Sequence, residues 1–226
     1  NTVILTGTDP SGNTATCNAT VTVEDNVAPV MVCQDITVQL DASGNASIVP
    51  ADVDNGSSDA CSALTLSLDV SSFTCADVGA NTVVLTGADA SGNSATCSAI
   101  VTVEDNIAPT MICQDITVQL DASGNASIVA GDVDNGSSDN CTAVFLSLDQ
   151  TAFTCADIGP NTVTLTGIDG SGNTATCSAT VTVEDNVAPS MSCQDITVQL
   201  DASGNASIVA ADVDNGSSDA CSALTL

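Results

Sequence analysis

Cys33 to Val49 reads CQDITVQLDASGNASIV, and the same letters return from Cys113 and again from Cys193. Outside that stretch the echo continues. DVDNGSSD stands at Asp52, Asp132 and Asp212, and VEDN at Val23, Val103 and Val183. The spacing is 80 residues throughout, with no insertion or deletion. A fixed period of this size means an array of equivalent structural units. In such a chain function comes from length, spacing and surface chemistry.

Within the repeated stretch Ile36, Val38 and Leu40 alternate with Thr37 and Gln39, the pattern of a half-buried strand. Asp41 to Asn45 is a turn, a second strand runs through Ile48 and Val49, and Asp52 to Asp59 reads as a polar loop. Leu64, Leu66 and Leu68 alternate with Thr65 and Ser67 in the next strand. An extended piece around Phe73 leads to a turn ending at Gly79, and a strand covers Asn81 to Thr86. After a turn at Asp89 to Asn93, a last strand from Ser94 to Glu104 places Cys97, Ala99, Val101 and Val103 on one face. Six or seven short antiparallel strands per repeat predict an all-β fold: tandem immunoglobulin-like β-sandwich repeats of 80 residues forming an elongated array. A β-solenoid has a much shorter repeat. Complete repeats span 27–106 and 107–186. Residues 1–26 are the C-terminal part of one repeat and 187–226 the N-terminal part of another. Asn1 shares its phase with Asn81, and Leu226 with Leu66, so the expectation is an internal slice whose partners are flanking repeats of a longer chain.

Lysine, arginine and histidine are all absent, against 28 acidic residues. Only counterions can neutralise them. Nucleic acid is excluded as a partner, because phosphate binding relies on Lys and Arg, and an anionic membrane repels such a chain. Disorder requires low hydrophobicity alongside high charge, whereas this chain is 43% hydrophobic. Phe73, Phe145 and Phe153 are its only aromatics, so Val, Ile, Leu and Ala must build the core. No stretch is long enough to span a membrane.

Cysteine recurs at four phases per repeat: Cys17, Cys33, Cys61 and Cys75, then Cys97, Cys113, Cys141 and Cys155, then Cys177, Cys193 and Cys221. Zinc sites use close Cys pairs or His, and this chain has neither. Disulfides and an oxidising setting, extracellular or at a cell surface, are expected. Strand alternation puts Cys33, Cys61 and Cys97 at the leading end of a repeat and Cys75 at the trailing end. Several residues of strand at about 3.3 Å each then separate Cys75 from the others, against a Cα limit of roughly 7 Å. This predicts Cys75–Cys113 and Cys155–Cys193 between repeats, with Cys61–Cys97 and Cys141–Cys177 inside them. The alternative, Cys33–Cys61 with Cys75–Cys97, stays open.

The series FTCADVGANTVVLTGADASGNSATCSAIVTVEDN, Phe73 to Asn106, resembles the C-terminal half of hyalin-type (HYR) repeats, which occur in long bacterial surface proteins including adhesins of gliding Bacteroidetes. The resemblance implies an immunoglobulin-like sandwich in an extracellular, often adhesive, array. The linker Glu104-Asp105-Asn106-Ile107-Ala108-Pro109 also resembles the Asp-Asn-x-Pro junctions of cadherin-like arrays, with one extra residue before the proline.

Carboxylates cluster where repeats join. Ca²⁺ takes six to eight oxygens from carboxylates, amides and carbonyls. The linker residues Glu24, Asp25 and Asn26, facing the loop acids Asp52, Asp54 and Asp59, make one candidate calcium site. Glu104, Asp105 and Asn106 with Asp132, Asp134 and Asp139 make the second, and Glu184, Asp185 and Asn186 with Asp212, Asp214 and Asp219 the third. The competing reading is a set of solvated loop residues with turn propensity. Catalysis is not expected: without His or Lys no Ser-His-Asp, Cys-His or Schiff-base arrangement exists. The expected role is a stalk or filament segment of a cell-surface adhesin, holding a tip that engages a surface or glycan ligand. Repeats that bind a glycan themselves, or spacer modules of a secreted hydrolase, are the alternatives. Exposed Trp or Tyr, usual in glycan platforms, are missing.

Overall fold

The computed structural model describes residues 1–226 as two compact units, Asn1–Asp105 and Asn106–Leu226. The first opens with a hairpin of β1 (Thr2–Thr8) and β2 (Thr14–Thr20). A full repeat follows: β3 (Ile36–Gln39), β4 (Asn45–Ser47), α1 (Pro50–Val53), β5 (Thr65–Leu68), β6 (Ser72–Thr74), β7 (Gly79–Ala88) and β8 (Ser94–Glu104). The second unit repeats this order as β9 (Ile116–Gln119), β10 (Asn125–Ser127), α2 (Ala130–Val133), β11 (Phe145–Leu148), β12 (Ala152–Thr154), β13 (Gly159–Ile168) and β14 (Thr174–Glu184), and adds α3 (Ala210–Val213).

Each repeat is a sandwich of a four-stranded sheet, in the order β3-β8-β7-β5 or β9-β14-β13-β11, and a two-stranded one, β4-β6 or β10-β12. The all-β immunoglobulin-like expectation therefore holds. Two details differ from it. The strands are not all antiparallel: β3 runs parallel to β8, with Ile36 opposite Val101 and Val38 opposite Val103. The stretch Asp52 to Asp59 is also not wholly a polar loop, because Asp52 and Val53 complete the one-turn α1, which sends Val53 into the core at 0% exposure.

Alternation explains the core. In β8 Ala99, Val101 and Val103 face inward at 2%, 0% and 1% exposure, and in β7 Val83 and Leu85 meet them. Phe73 in β6 fills the centre from the other sheet and Phe153 does the same in the next repeat, whereas Phe145, at the phase of Thr65, is 71% exposed. Thus one aromatic per repeat fills what an aliphatic core leaves open. Met31 reaches into the sheet against Gly87, where a Cβ would collide with its sulfur.

The repeated Asp-x-Ser-Gly-Asn turns follow one rule. The aspartate Oδ1 accepts the N–H groups of the residues two and four positions on, as Asp41 does from Ser43 (2.8 Å) and Asn45 (3.0 Å) and Asp89 from Ser91 (2.9 Å) and Asn93 (2.8 Å). The glycine takes the positive φ that closes the turn, +73° at Gly44 and +94° at Gly92.

Disulfides join Cys33 to Cys97 and Cys113 to Cys177, each inside a repeat, and Cys155 to Cys221, one repeat to the next; Cys75 and Cys141 are also disulfide-bonded. The expected pairings are corrected on each point. Cys97 and Cys177 bond to Cys33 and Cys113, so Cys61–Cys97, Cys141–Cys177 and Cys75–Cys113 do not form. Cys155 does reach the following repeat, but at Cys221; Cys193 is free, as are Cys17 and Cys61. The alternative of Cys33–Cys61 with Cys75–Cys97 fails on the same bonds. The physical reason is the parallel β3–β8 register. Three residues back from Ile36 and four back from Val101, Cys33 comes beside Cys97, with Cα atoms 5.8 Å apart. The Asp35 carboxylate seals the same edge, accepting the Ile100 N–H at 2.7 Å.

Candidate cation site at the linker

Asp25 lies in the linker that precedes the first full repeat, and it turns inward. Its Oδ1 accepts the Val27 N–H at 3.0 Å, while its Oδ2 is buried with no hydrogen-bond partner. From the loop after α1, Asp59 comes to meet it. Asp59 Oδ2 accepts the N–H groups of Cys61 (2.8 Å) and Ser62 (3.0 Å), which fixes the carboxylate's direction. Ligand atoms of Asp25, Asp59 and Cys61 all lie within 4.8 Å of one another. The Asp25 charge, first among the causes, pushes the Cys61 thiol up.

Asp89, at the tip of the β7–β8 hairpin, stands behind this pair and is only 8% exposed. Asn93 connects them: its Nδ2 donates to Asp89 Oδ2 at 2.7 Å and to the Asp25 carbonyl at 3.0 Å. Burial opposes ionisation of Asp89, but the Asn93 side chain and then the backbone N–H groups of Asn93, Ser91 and Gly92 outweigh it, holding the carboxyl below the usual range.

The second unit builds the same arrangement from equivalent residues. Asp139 Oδ2 accepts from the N–H groups of Cys141 (2.9 Å) and Thr142 (3.1 Å), and its Oδ1 is buried without a partner. Carboxylate oxygens of Asp139 and Asp169 lie within 4.8 Å of each other, and Asp169 is 3% exposed. Asn173 donates to Asp169 Oδ2 at 2.8 Å and to the Ile107 carbonyl at 3.3 Å. Asp105, at the phase of Asp25, is likewise 3% exposed. In the third copy Asp185 accepts from the Val187 N–H (3.0 Å) and Asp219 from those of Cys221 (3.0 Å) and Ser222 (2.8 Å).

Among the residues named from sequence, the structure brings Asp25 together with Asp59 and turns Asp139 toward Asp169. It gives others different partners. Asp52, Asp132 and Asp212 accept the N–H of Val49, Val129 and Val209 at the start of each helical turn. Asp54, Asp134 and Asp214 accept from Ser57, Ser137 and Ser217, and the hydroxyl of that serine, the largest cause, lowers each pKa. Glu104 and Glu184 accept from Gln39 and Gln119 across the parallel strand pair, both at 2.7 Å, and Asn186 donates to Gln119 at 2.6 Å. Asp89 and Asp169 were not among the named residues. The hairpin tip they occupy lies at the same end of the sandwich as the Asp59 loop, and that placement is the signal that finds them.

No family model matches the chain and no curated protein matches it. Among solved structures, it is similar to titin domains I67–I69 in an E-to-A variant (10% identity, TM-score 0.42, 81% of this chain and 74% of that one). It is also similar to the protocadherin gammaB7 EC3–6 cis-dimer structure (16%, 0.37, covering 91% and 62%). A third similarity is to an endo-fucoidan hydrolase from glycoside hydrolase family 107 (15%, 0.30, covering 83% and 34%). The chain thus spans about a third of that hydrolase, and it spans 61% of the PcdhgB3 EC1–4 chain. No helix is long and apolar enough to cross a membrane.

Proposed function

We propose that the chain is a non-catalytic spacer: a run of disulfide-bonded β-sandwich repeats in the stalk of an extracellular adhesin, with calcium held where each linker meets the next repeat. The distal part of the longer protein would engage a surface or glycan ligand. The observation that carries this reading is the inward-turned linker carboxylate. Asp25 Oδ2 is buried beside Asp59 with no donor, and Asp139 Oδ1 is buried beside Asp169 in the same state. A buried carboxylate oxygen without a donor is costly. A chain with no Lys, Arg or His has no side-chain cation to supply, and a thiol such as Cys61 beside Asp25 is only a weak donor; both points favour a metal ion as the partner. The carboxylate oxygens of the site suit a hard cation, and the Cys61 sulfur beside them in the first unit is not needed to hold it. Asp25 and Asp59 would hold it in the first unit, and Asp139 and Asp169 would contribute in the second. The bound ion would supply positive charge and tie linker to loop.

The test is thermal melting with calcium or with chelator at matched ionic strength. An ion that binds only the folded form at about 100 times its Kd adds about 2.7 kcal/mol, so the midpoint should rise by several degrees. An unchanged midpoint would leave these acids as ordinary loop residues and remove the cation from the proposal.

A further inference from the structure

We propose that the disulfides interlock into a ladder that sets the greatest length the chain can reach under load, so that it works as a length-limited tether even after its sandwiches unfold. This deepens the spacer reading but rests on bond connectivity, not on calcium.

The loops overlap in sequence. Cys155 lies inside the loop closed by Cys113–Cys177, and its partner Cys221 lies outside it. Neither loop can be pulled open without drawing taut the other. The bonds close loops of 64, 64 and 66 residues in a chain whose period is 80. A pulled chain therefore carries load across Cys33–Cys97, along about 16 residues of backbone to Cys113, and across Cys113–Cys177. All the folded mass between bonded cysteines is bypassed. The free Cys17, Cys61 and Cys193 sit at the phases of the bonded Cys97, Cys141 and Cys113.

Local structure sets the staple. Cys155 heads a short helical turn, Cys155–Asp157, in which Asp157 accepts the Thr154 N–H at 2.7 Å. Its sulfur lies against the Gly124 turn and within 3.3 Å of the Ala220 carbonyl. Cys221 follows Asp219, whose carboxylate holds the Cys221 N–H. The trailing-end turn of one repeat and the acidic loop of the next therefore present their sulfurs to each other.

The measurement is single-molecule stretching of the full chain between its termini in calcium-free buffer, with and without a dithiol reductant. Each reduced bond takes two electrons from the dithiol and yields two thiols. In the oxidised chain a covalent path runs from Asn1 to Cys33, from Cys97 to Cys113, from Cys177 back to Cys155 and from Cys221 to Leu226, and the chain can extend no further than this path allows. That is about 75 residues, or about 270 Å at full extension, against about 810 Å for the reduced chain. A threefold lengthening on reduction is expected. Replacing both Cys155 and Cys221 by Ser should lengthen the oxidised chain by about 80 Å, whether or not that variant folds. An oxidised chain that stretches as far as the reduced one, or a double variant no longer than the parent, would overturn the ladder. Because calcium is absent, neither outcome bears on the cation site.

Discussion

Ile36 lies opposite Val101 on a strand that runs in the same direction, and this register decides which cysteines can meet. A parallel pair moves two chain segments together along one edge, so Cys33 and Cys97 arrive side by side. Cys61 is left at the loop beside Asp25 and Asp59. Two substitutions should therefore separate sharply. Cys97→Ser opens a 64-residue loop and should cost about 4 kcal/mol. Cys61→Ser removes only an exposed free thiol from this chain and should stay within about 0.5 kcal/mol. Denaturant melts of the two variants read the difference, and equal losses would contradict the pairing.

Phe73 and Phe153 are the largest buried side chains of their repeats, whereas Phe145 projects from an outer strand. Phe153→Ala should cost about 3–5 kcal/mol through lost burial and the cavity it leaves. Phe145→Thr, which restores the residue found at Thr65, should leave stability unchanged to within about 0.5 kcal/mol. A large loss at Phe145 would mean that its exposed ring is covered by something in solution.

Much of this fold was legible because its turns and its longest strands are local. The period gave the repeats, the Asp-x-Ser-Gly-Asn motif gave hairpin turns such as that joining β7 to β8, and alternation in β8 gave its buried face. The parallel strand was not legible. Alternation along Ile36, Val38 and Leu40 shows which side is buried but carries nothing about the direction of the neighbour. Val53 was hidden for a related reason. A single apolar residue among Asp52, Asp54 and Asn55 shows no period, and only the turn begun at Pro50 aims it inward. At the candidate site Asp25 and Asp59 could be named because linker and loop meet at one end. Asp89 shares its motif with Asp41, so only the placement of its hairpin distinguishes them.

Gly124 holds a positive φ of +75° and also gives room to the Cys155 and Cys221 sulfurs. Gly204 has a similar φ of +80° with nothing near its missing Cβ. Gly124→Ala should therefore lose the backbone term, about 1 kcal/mol, and also hinder closure of Cys155–Cys221. Gly204→Ala should lose only the first. Thiol titration after refolding in air checks this, with extra free thiol expected in the Gly124 variant alone.

Asp169 has its pKa lowered. Burial works against that shift, but the Asn173 side chain and then the backbone N–H groups of Asn173, Ser171 and Gly172 prevail. A carboxyl depressed in the folded state stabilises it fully above the unfolded pKa, near 3.9, and loses that contribution as pH falls through the folded value. Asp169→Asn keeps an oxygen for the turn but loses the charge. The variant should be less stable than the parent at pH 7, and the gap should narrow from about pH 4 downward. Urea melts at a series of pH values in chelator would show it. A gap that stays constant on acidification would mean that the turn geometry, not the charge, is what Asp169 contributes.

The acids also divide by their expected response to calcium. Asp59 and Asp139 each stand beside a second carboxylate, and one Asp139 oxygen is buried without a donor. Asp52 and Asp132 instead satisfy the first N–H of a helical turn, at 2.7 Å in both cases. Asp59→Asn together with Asp139→Asn should abolish most of the calcium-induced rise in melting midpoint. In chelator the double variant loses the charge on the bonds from the N–H groups of Cys61, Ser62, Cys141 and Thr142 but is relieved of carboxylate repulsion, so its midpoint should move little. Asp52→Asn with Asp132→Asn should behave oppositely: about 1 kcal/mol lost per site from the weakened hydrogen bond, with the calcium response intact. Isothermal titration with calcium checks the assignment independently of melting. If the Asp52 and Asp132 pair abolished binding while the Asp59 and Asp139 pair preserved it, the ion would sit on the helical-turn side of the loop and not between linker and hairpin.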